Sequence, residues 1–227
     1  MQFAPGAALF FDIDGTLADT DPVHLEAFNR VFEPFGEFFD RPRFIRELQG
    51  FANVDIARRL LPQLSPQEGL AVLDHKEAVF RELAHTEIHA VPGLFYLLDL
   101  AEAAGLPIAA VTNAPRANAD LIIDGLGIRQ RFAAIVIGAE LPHGKPHPLP
   151  YLEGLRLLNA KAELSVAFED SRTGIASSVA AGLATVGIRT SLEDVDLRAV
   201  GADITTASYD EQSLLDFIAA RIAMATV

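Results

Sequence analysis

Five short apolar runs, four of them ending in or followed by residues able to do chemistry, constrain this chain more than any other feature of it. They are Ala7–Asp12 (AALFFD), Pro107–Thr112 (PIAAVT), Ala134–Gly138 (AIVIG), Ser165–Glu169 (SVAFE) and Leu183–Ile188 (LATVGI). Within each run hydrophobicity is continuous rather than alternating, so both faces of the strand must be covered, the mark of a parallel sheet between helical layers. Helical patterns separate the runs at Leu94–Ala104, Pro115–Leu126, Pro150–Leu158 and Thr173–Ala181. Strand and helix therefore alternate, and the expected class is α/β with a doubly wound parallel sheet. The stretch 20–89 breaks this rhythm. It has no strand-like run and reads as amphipathic helices at Pro22–Phe35, Arg41–Leu48, Asp55–Leu61 and Pro66–Leu83. We expect an all-helical insertion at 20–89, ending before Val91-Pro92-Gly93, with 1–19 and 90–227 forming the α/β core. Phe32, Phe35, Phe38, Phe39, Phe44 and Phe51 read mostly as the core of the insertion, with one or two facing a ligand.

Composition narrows the function classes. A chain of 227 residues suits one large domain, or one domain carrying an insertion. It has no cysteine, which removes disulfides, thiolate nucleophiles and thiolate zinc sites and suits a reducing cytoplasm. Eighteen Lys and Arg against 31 Asp and Glu give a net charge of −13, a balance that repels nucleic-acid backbones and anionic membranes. The opening MQFAPGAALFFDIDG has no basic leader, so it reads as no signal peptide and the expected location is cytoplasmic. The longest uncharged stretch, Thr173 to Ile188, falls short of the roughly 20 apolar residues of a membrane span.

In an open parallel sheet, ligands gather beyond the carboxyl ends of the strands, so the run endings matter most. The first ends in Asp12-Ile13-Asp14-Gly15-Thr16. Residues two apart on a strand share a face, so both carboxylates can enter one crevice, and Gly15 lets the chain turn away. The second ends in Thr112-Asn113, a hydroxyl and an amide suited to an oxyanion. The third is followed by Gly144-Lys145-Pro146, a cation in a proline-stiffened loop, and the fourth ends in Glu169-Asp170-Ser171. Four acids, one lysine and two neutral donors at one sheet edge call for a divalent cation and an anionic ligand, because the acids cannot crowd together unneutralised.

These motifs, FFDIDGT, VTN, GKP and FEDS in that order, make the chain resemble the haloacid dehalogenase-like superfamily over nearly its whole length. The resemblance is to the branch with β-phosphoglucomutase and phosphoglycolate phosphatase, whose Rossmann-like core carries a helical cap. It implies a Mg²⁺-dependent enzyme acting on a small phosphate ester. Asp12 would be the nucleophile that carries an aspartyl-phosphate. Asp14 would protonate the leaving oxygen and later take a proton from water. Thr112 and Asn113 would hold the phosphoryl oxygens, with Gly15 and Thr16 completing the phosphate loop. Lys145 would offset charge. Mg²⁺ would bridge Asp12, the backbone carbonyl of Asp14 and Asp170, with Glu169 as ligand or support. His24 matches a histidine that reaches the acid/base in mutase relatives, and Lys76 matches a cap lysine that contacts phosphate. Arg116 and Asn53 are further candidates for substrate contact.

One departure from the family pattern is Leu149, where an aspartate usually follows GKP-x-P; we expect that aspartate to serve the helix start rather than the chemistry. Gly138 to Lys145 is no P-loop, since its spacing is wrong and Pro146 replaces the Ser or Thr that would meet magnesium. His85 to His89 places its Glu wrongly for a zinc helix, and no G-x-S-x-G is present. Among functions, hydrolysis of a phosphate monoester leads. A sugar phosphomutase is the rival; against it, Asn53 stands where mutases supply an arginine, although Arg58 or Arg59 could substitute. A dehalogenase needs neither Asp14 nor Asp170, and a phospho-ligand sensor has no support while every catalytic position is filled.

Overall fold

Runs buried on both faces can lie only in the middle of a layered structure, and the computed structural model, which describes residues 3–85 and 87–222, puts them there. Six parallel strands form one sheet in the order β3-β2-β1-β4-β5-β6. The strands are β1 (Ala8–Phe11), β2 (Ile108–Thr112), β3 (Ala134–Ile137), β4 (Ser165–Glu169), β5 (Ala184–Ile188) and β6 (Ile204–Thr206). Every residue of β1, β2, β4 and β5 is buried. On β1 the side chains divide by parity. Leu9 and Phe11 join the larger core with helix α5 (Leu94–Ala103), helix α6 (Arg116–Gly125) and helix α10 (Gln212–Ile222), whereas Ala8 and Phe10 face Tyr151 and Leu155 of α7 (Leu149–Leu158). This is the α/β, doubly wound arrangement expected. Beyond Ile188 the chain adds α9 (Asp194–Val200), β6 and α10, none of which the apolar runs announced. A three-residue edge strand, Ile-Thr-Thr, is too short and polar to register as a run.

Among the described residues between β1 and α5 the regular elements are helices: α1 (Asp21–Phe32), α2 (Arg41–Glu47), α3 (Asn53–Leu60) and α4 (Pro66–Ala84). They surround their own apolar cluster, which includes Phe28, Phe32, Phe39, Phe44, Ile56 and Leu73. Ser65 starts α4 with a capping box, its hydroxyl taking the Glu68 amide while Glu68 returns to the Ser65 amide at 2.9 Å. The two chain passes that join these helices to the sheet run side by side, bridged at Ala18 and Ala90. Of the six phenylalanines expected mostly in this core, Phe32, Phe39 and Phe44 are buried, whereas Phe35 and Phe38 are 38% and 72% exposed. They follow α1 in a turn over the surface and have no partner layer. No helix among the described residues is long and apolar enough to cross a membrane.

The buried and exposed phenylalanines differ only in what covers them, so they make a matched pair. Phe32→Ala should cost about 3–5 kcal/mol in urea unfolding, the range for aromatic-to-Ala changes in a packed core. Phe38→Ala should stay within about 0.5 kcal/mol.

Candidate active site

The strand order reverses direction between β1 and β4, which opens a crevice at their carboxyl ends. Phe11 of β1 is in register with Phe168 of β4, so Asp12 and Glu169, one residue further on, are neighbours across the sheet. Lys145, in the loop before α7, lies between them. Its Nζ donates to Asp12 Oδ1, to Glu169 Oε1 and to the Val111 carbonyl, each at 2.6 Å. The Tyr151 hydroxyl donates to the same Glu169 oxygen. All four residues are buried, and Asp170 beside them is 2% exposed.

Burial on this scale sets the electrostatics. Removal from water pushes Asp12 up to about 8, against the pull of Lys145 and with a further push from Glu169. Burial also raises Glu169, again opposed by Lys145. Asp170 stands well above the ordinary carboxylate range, through burial first and then through Asp21, Asp12, Glu169 and Asp14. Burial works against the Lys145 ammonium, but Asp12 and Glu169 outweigh it and hold the lysine charged. One lysine leaves the acids under-neutralised. Carboxylate oxygens of Asp12, Glu169 and Asp170 lie within 4.8 Å of one another, and Glu169 Oε2 is buried with no hydrogen-bond partner. Such a set of hard oxygen donors with surplus negative charge fits a divalent cation. Two glycines keep the acids uncrowded: a Cβ on Gly15 would lie 2.1 Å from Asp170 Oδ2, and one on Gly174 would lie 1.7 Å from Glu169 Oε2.

Asp14 heads a second group. Thr20 precedes α1 at the position of a helix cap, yet its hydroxyl makes no cap bond and instead donates to Asp14 Oδ1 at 2.7 Å. One turn on, His24 Nε2 meets the same oxygen at 3.0 Å, while His24 Nδ1 faces Lys76 Nζ at 2.9 Å. An ammonium can only donate, so Nδ1 is the acceptor and Nε2 carries the proton toward Asp14. Burial presses Asp14 upward, but the hydrogen bonds of His24 and Thr20 prevail and hold it below its ordinary value. The His24 ring stacks on Phe80 of α4 at 3.8 Å, which fixes its plane. Lys76 in turn sits 3.1 Å from both oxygens of Glu77, and Glu77 accepts from Asn53 at 2.9 Å and from Asn118 at 2.7 Å.

The helices also touch the sheet edge directly. Gln49 donates to Asp170 Oδ2 at 2.8 Å and to Asp21 at 3.0 Å, and the Gly50 carbonyl accepts from Asn113 at 3.0 Å and Thr173 at 2.9 Å. Between the two layers is a cavity of about 650 Å³, counting its mouth. Asp12, Asp14, His24, Asn53, Lys76, Thr112, Asn113, Lys145 and Asp170 all line it.

Three sequence expectations need correction. Arg116 does not face the cavity; it is exposed and paired with Glu140 through bonds of 2.7 and 2.6 Å. It occupies the first helical position after Pro115, and its guanidinium is taken up by Glu140 in the turn after β3. The Asn113 side chain is already engaged, with both amide hydrogens given to Gly50 and Lys145 carbonyls and its oxygen taking the Lys145 amide at 2.8 Å. It clips the lysine loop in place. Gly15 and Thr16 are buried and do not line the cavity. Leu149 leaves the helix start without the usual aspartate, and His147 Nδ1 accepts its amide at 3.1 Å instead. Sequence reasoning passed over Thr20, Gln49, Glu77, Asn118 and Tyr151. A signal for Glu77 existed: Leu73, Lys76, Glu77, Phe80 and Ala84 form the buried stripe of α4, and two charges in such a stripe require an explanation.

Residues 9–188 match the family model for haloacid dehalogenase-like hydrolases. The protein CbbY of Rhodobacter capsulatus is 36% identical over 190 residues, covering 79% of this chain and 83% of that protein. A phosphorylated carbohydrates phosphatase of Thermotoga maritima is 31% identical over 193 residues, covering 82% and 87%. Among solved structures, CbbY of Rhodobacter sphaeroides in complex with xylulose-(1,5)bisphosphate superposes with a TM-score of 0.78 at 29% identity, over 91% of this chain and 95% of that one. Strand order, motif order and these likenesses agree: the chain belongs to the haloacid dehalogenase-like hydrolases, in the branch of β-phosphoglucomutase and phosphoglycolate phosphatase.

Proposed function

We propose that this haloacid dehalogenase-like phosphatase is Mg²⁺-dependent and hydrolyses a small phosphate monoester, of the sugar phosphate or phosphoglycolate kind, through an aspartyl-phosphate. The observation that carries the reading is the placement of Asp12 and Asp14 on one cavity, the first fixed by Lys145 and the second by Thr20 and His24. Asp12 attacks phosphorus, and the bond to the leaving oxygen breaks as Asp14 delivers a proton to it. Water then attacks the aspartyl-phosphate, Asp14 takes its proton, and inorganic phosphate leaves. Asp14 is held ionised in the free site. A phosphate dianion beside it opposes that ionisation and brings the acid form within reach. The Thr112 hydroxyl holds a phosphoryl oxygen, and Lys145 offsets charge between Asp12 and the phosphate. Asp12, Asp170 and the backbone carbonyl of Asp14 would hold Mg²⁺, with Glu169 in support. Bound there, the ion would neutralise charge on the transferring phosphoryl group.

Helices α1 to α4, within the insertion 20–89, act as a cap that excludes bulk water, and the contacts of Gln49 and Gly50 with the sheet edge support a closed arrangement. Hydrolysis is favoured over a mutase reaction. Asn53 is tied to Glu77, Arg58 pairs with Asp55, and Arg59 lies over the Phe51 ring at 4.5 Å. Among the described residues lining the cavity there is no arginine to grip a second phosphate.

The decisive experiment compares an aryl and an alkyl phosphate. Asp12→Asn should abolish phosphate release from both, as should EDTA with the wild type. Asp14→Asn should slow the alkyl ester by about 10²–10⁴-fold and the aryl ester far less, because phenolate leaves without a proton. Asp12→Asn turnover within tenfold of wild type, or equal losses for both esters in Asp14→Asn, would contradict the assigned roles.

Metal binding has a readout apart from turnover. Asp12 is raised in the folded state from an ordinary 3.8 to about 8, so folding without metal favours its protonated form. Its contribution is complete below pH 4 and is lost as pH rises to about 8. In chelator, the Tm of wild type should therefore fall relative to that of Asp12→Asn across this interval, and Mg²⁺ should narrow the gap. A wild-type Tm that ignores Mg²⁺ at pH 8 would count against the site.

A further inference from the structure

One part of the cavity lining, where the helices of the insertion meet the start of α6, has a charge pattern of its own. Its three polar members come from three helices: Asn53 from α3, Glu77 from α4 and Asn118 from α6. Glu77 is 4% exposed and Asn118 fully buried. Each oxygen of Glu77 takes one amide hydrogen and a share of the Lys76 ammonium, so both carboxylate oxygens are fully engaged. Arg81, behind Asn118, donates to its Oδ1 at 2.8 Å and does not line the cavity. Burial alone would push Glu77 toward its neutral form, but Lys76 outweighs it and keeps the carboxylate ionised.

Two consequences follow. The only lysines or arginines among the described residues lining the cavity are Lys76 and Lys145, and each is already matched by buried carboxylate. The wall therefore has no uncommitted cation for a second anionic group. What it does have is mixed: half-buried Asn53 keeps Oδ1 as an acceptor and a second amide hydrogen as a donor, held in fixed polarity by Glu77, while buried Asn118 braces Glu77 from behind. A hydroxyl both donates and accepts, and is the group that satisfies such a pair without carrying charge.

Resting on the phosphatase reading above, we propose that Glu77 with Asn53 and Asn118 selects the end of the substrate remote from the scissile phosphate. The substrate class is a monophosphate of a neutral, hydroxyl-bearing skeleton, and a second phosphate or a carboxylate at that end is rejected. Rejection comes from Glu77 holding the Lys76 ammonium, so that a second anion would enter a buried wall with no cation free to pair with it. Glu77 is thus a specificity residue, not part of the phosphoryl-transfer steps.

The test uses p-nitrophenyl phosphate as the reporter of turnover, with matched compounds as competitors and as substrates in Mg²⁺. The pairs are fructose 1-phosphate with fructose 1,6-bisphosphate, and glycerol 3-phosphate with 3-phosphoglycerate. In each pair the neutral member should bind about 30-fold or more tightly than the one with the extra anion, the difference lying in Ki and KM rather than kcat. Glu77→Gln, close in shape but uncharged, should shrink that ratio to below about threefold by improving binding of the anionic member. Ratios within about threefold in the wild type would overturn the proposal without need of any variant. So would failure of both neutral members to inhibit, or an unchanged ratio in folded Glu77→Gln. No release of p-nitrophenol by the wild type would instead overturn the phosphatase reading on which the proposal rests.

Discussion

The arrangement turns on Lys145. Asp12 and Glu169 emerge from adjacent parallel strands in register, so the sheet itself forces two carboxylates together in a buried place. Unpaired, such groups would take up protons, since burial of a like-charged pair disfavours ionisation twice over. A single ammonium 2.6 Å from each keeps that from being complete. The rest of the loop is organised around delivering it: Asn113 bonds both the amide and the carbonyl of Lys145, and His147 and Ser177 secure the turn into α7. Tyr151 then takes up an approach to Glu169 that Lys145 does not fill. Removing one member of such a set strands the charge of another, which is more costly than never having built the pair.

Much of this was legible because the chemistry lies at strand ends. A continuous apolar run states where a parallel strand is, and its last residues state what faces the crevice; Asp12, Thr112, Glu169 and Asp170 could be found by that rule, whereas Lys145, in a loop well past β3, was found through its Gly and Pro neighbours and motif order. The helices gave a different outcome. Amphipathic spacing located α1 to α4 closely, yet periodicity says only which face is buried, not whether it meets a core or a ligand. Lys76 and Glu77 lie in the same buried stripe as Leu73 and Phe80, and nothing local separates a buried salt pair from a packing position. Arg116 failed for the converse reason: it adjoins a motif in sequence, but a helix start turns neighbours through 100° per residue, and proximity along the chain did not become proximity in space. The final strand, β6, was beyond reach because an edge strand with one neighbour needs little apolar sequence.

The two layers are joined through polar atoms as much as through apolar ones. Phe80 and Ala84 of α4 sit in the larger core with the sheet helices, so the helical block is anchored near its base. Nearer the cavity the contacts are hydrogen bonds, from Gln49 to Asp170, from Asn113 and Thr173 to Gly50, and from Asn118 to Glu77. Bonds of this kind, with water available when broken, contribute about 1 kcal/mol net apiece.

That division of labour meets in one turn of α4. Lys76 reaches back to His24 and so to Asp14, while Glu77, the next residue, reaches across to Asn118 on the sheet side. Consecutive residues on a helix project about 100° apart, which lets one buried pair address both the reacting end and the remote end of the cavity. The group around Asp14 and the cluster of Asn53, Glu77 and Asn118 are, physically, one chain of hydrogen bonds from Thr20 to Arg81.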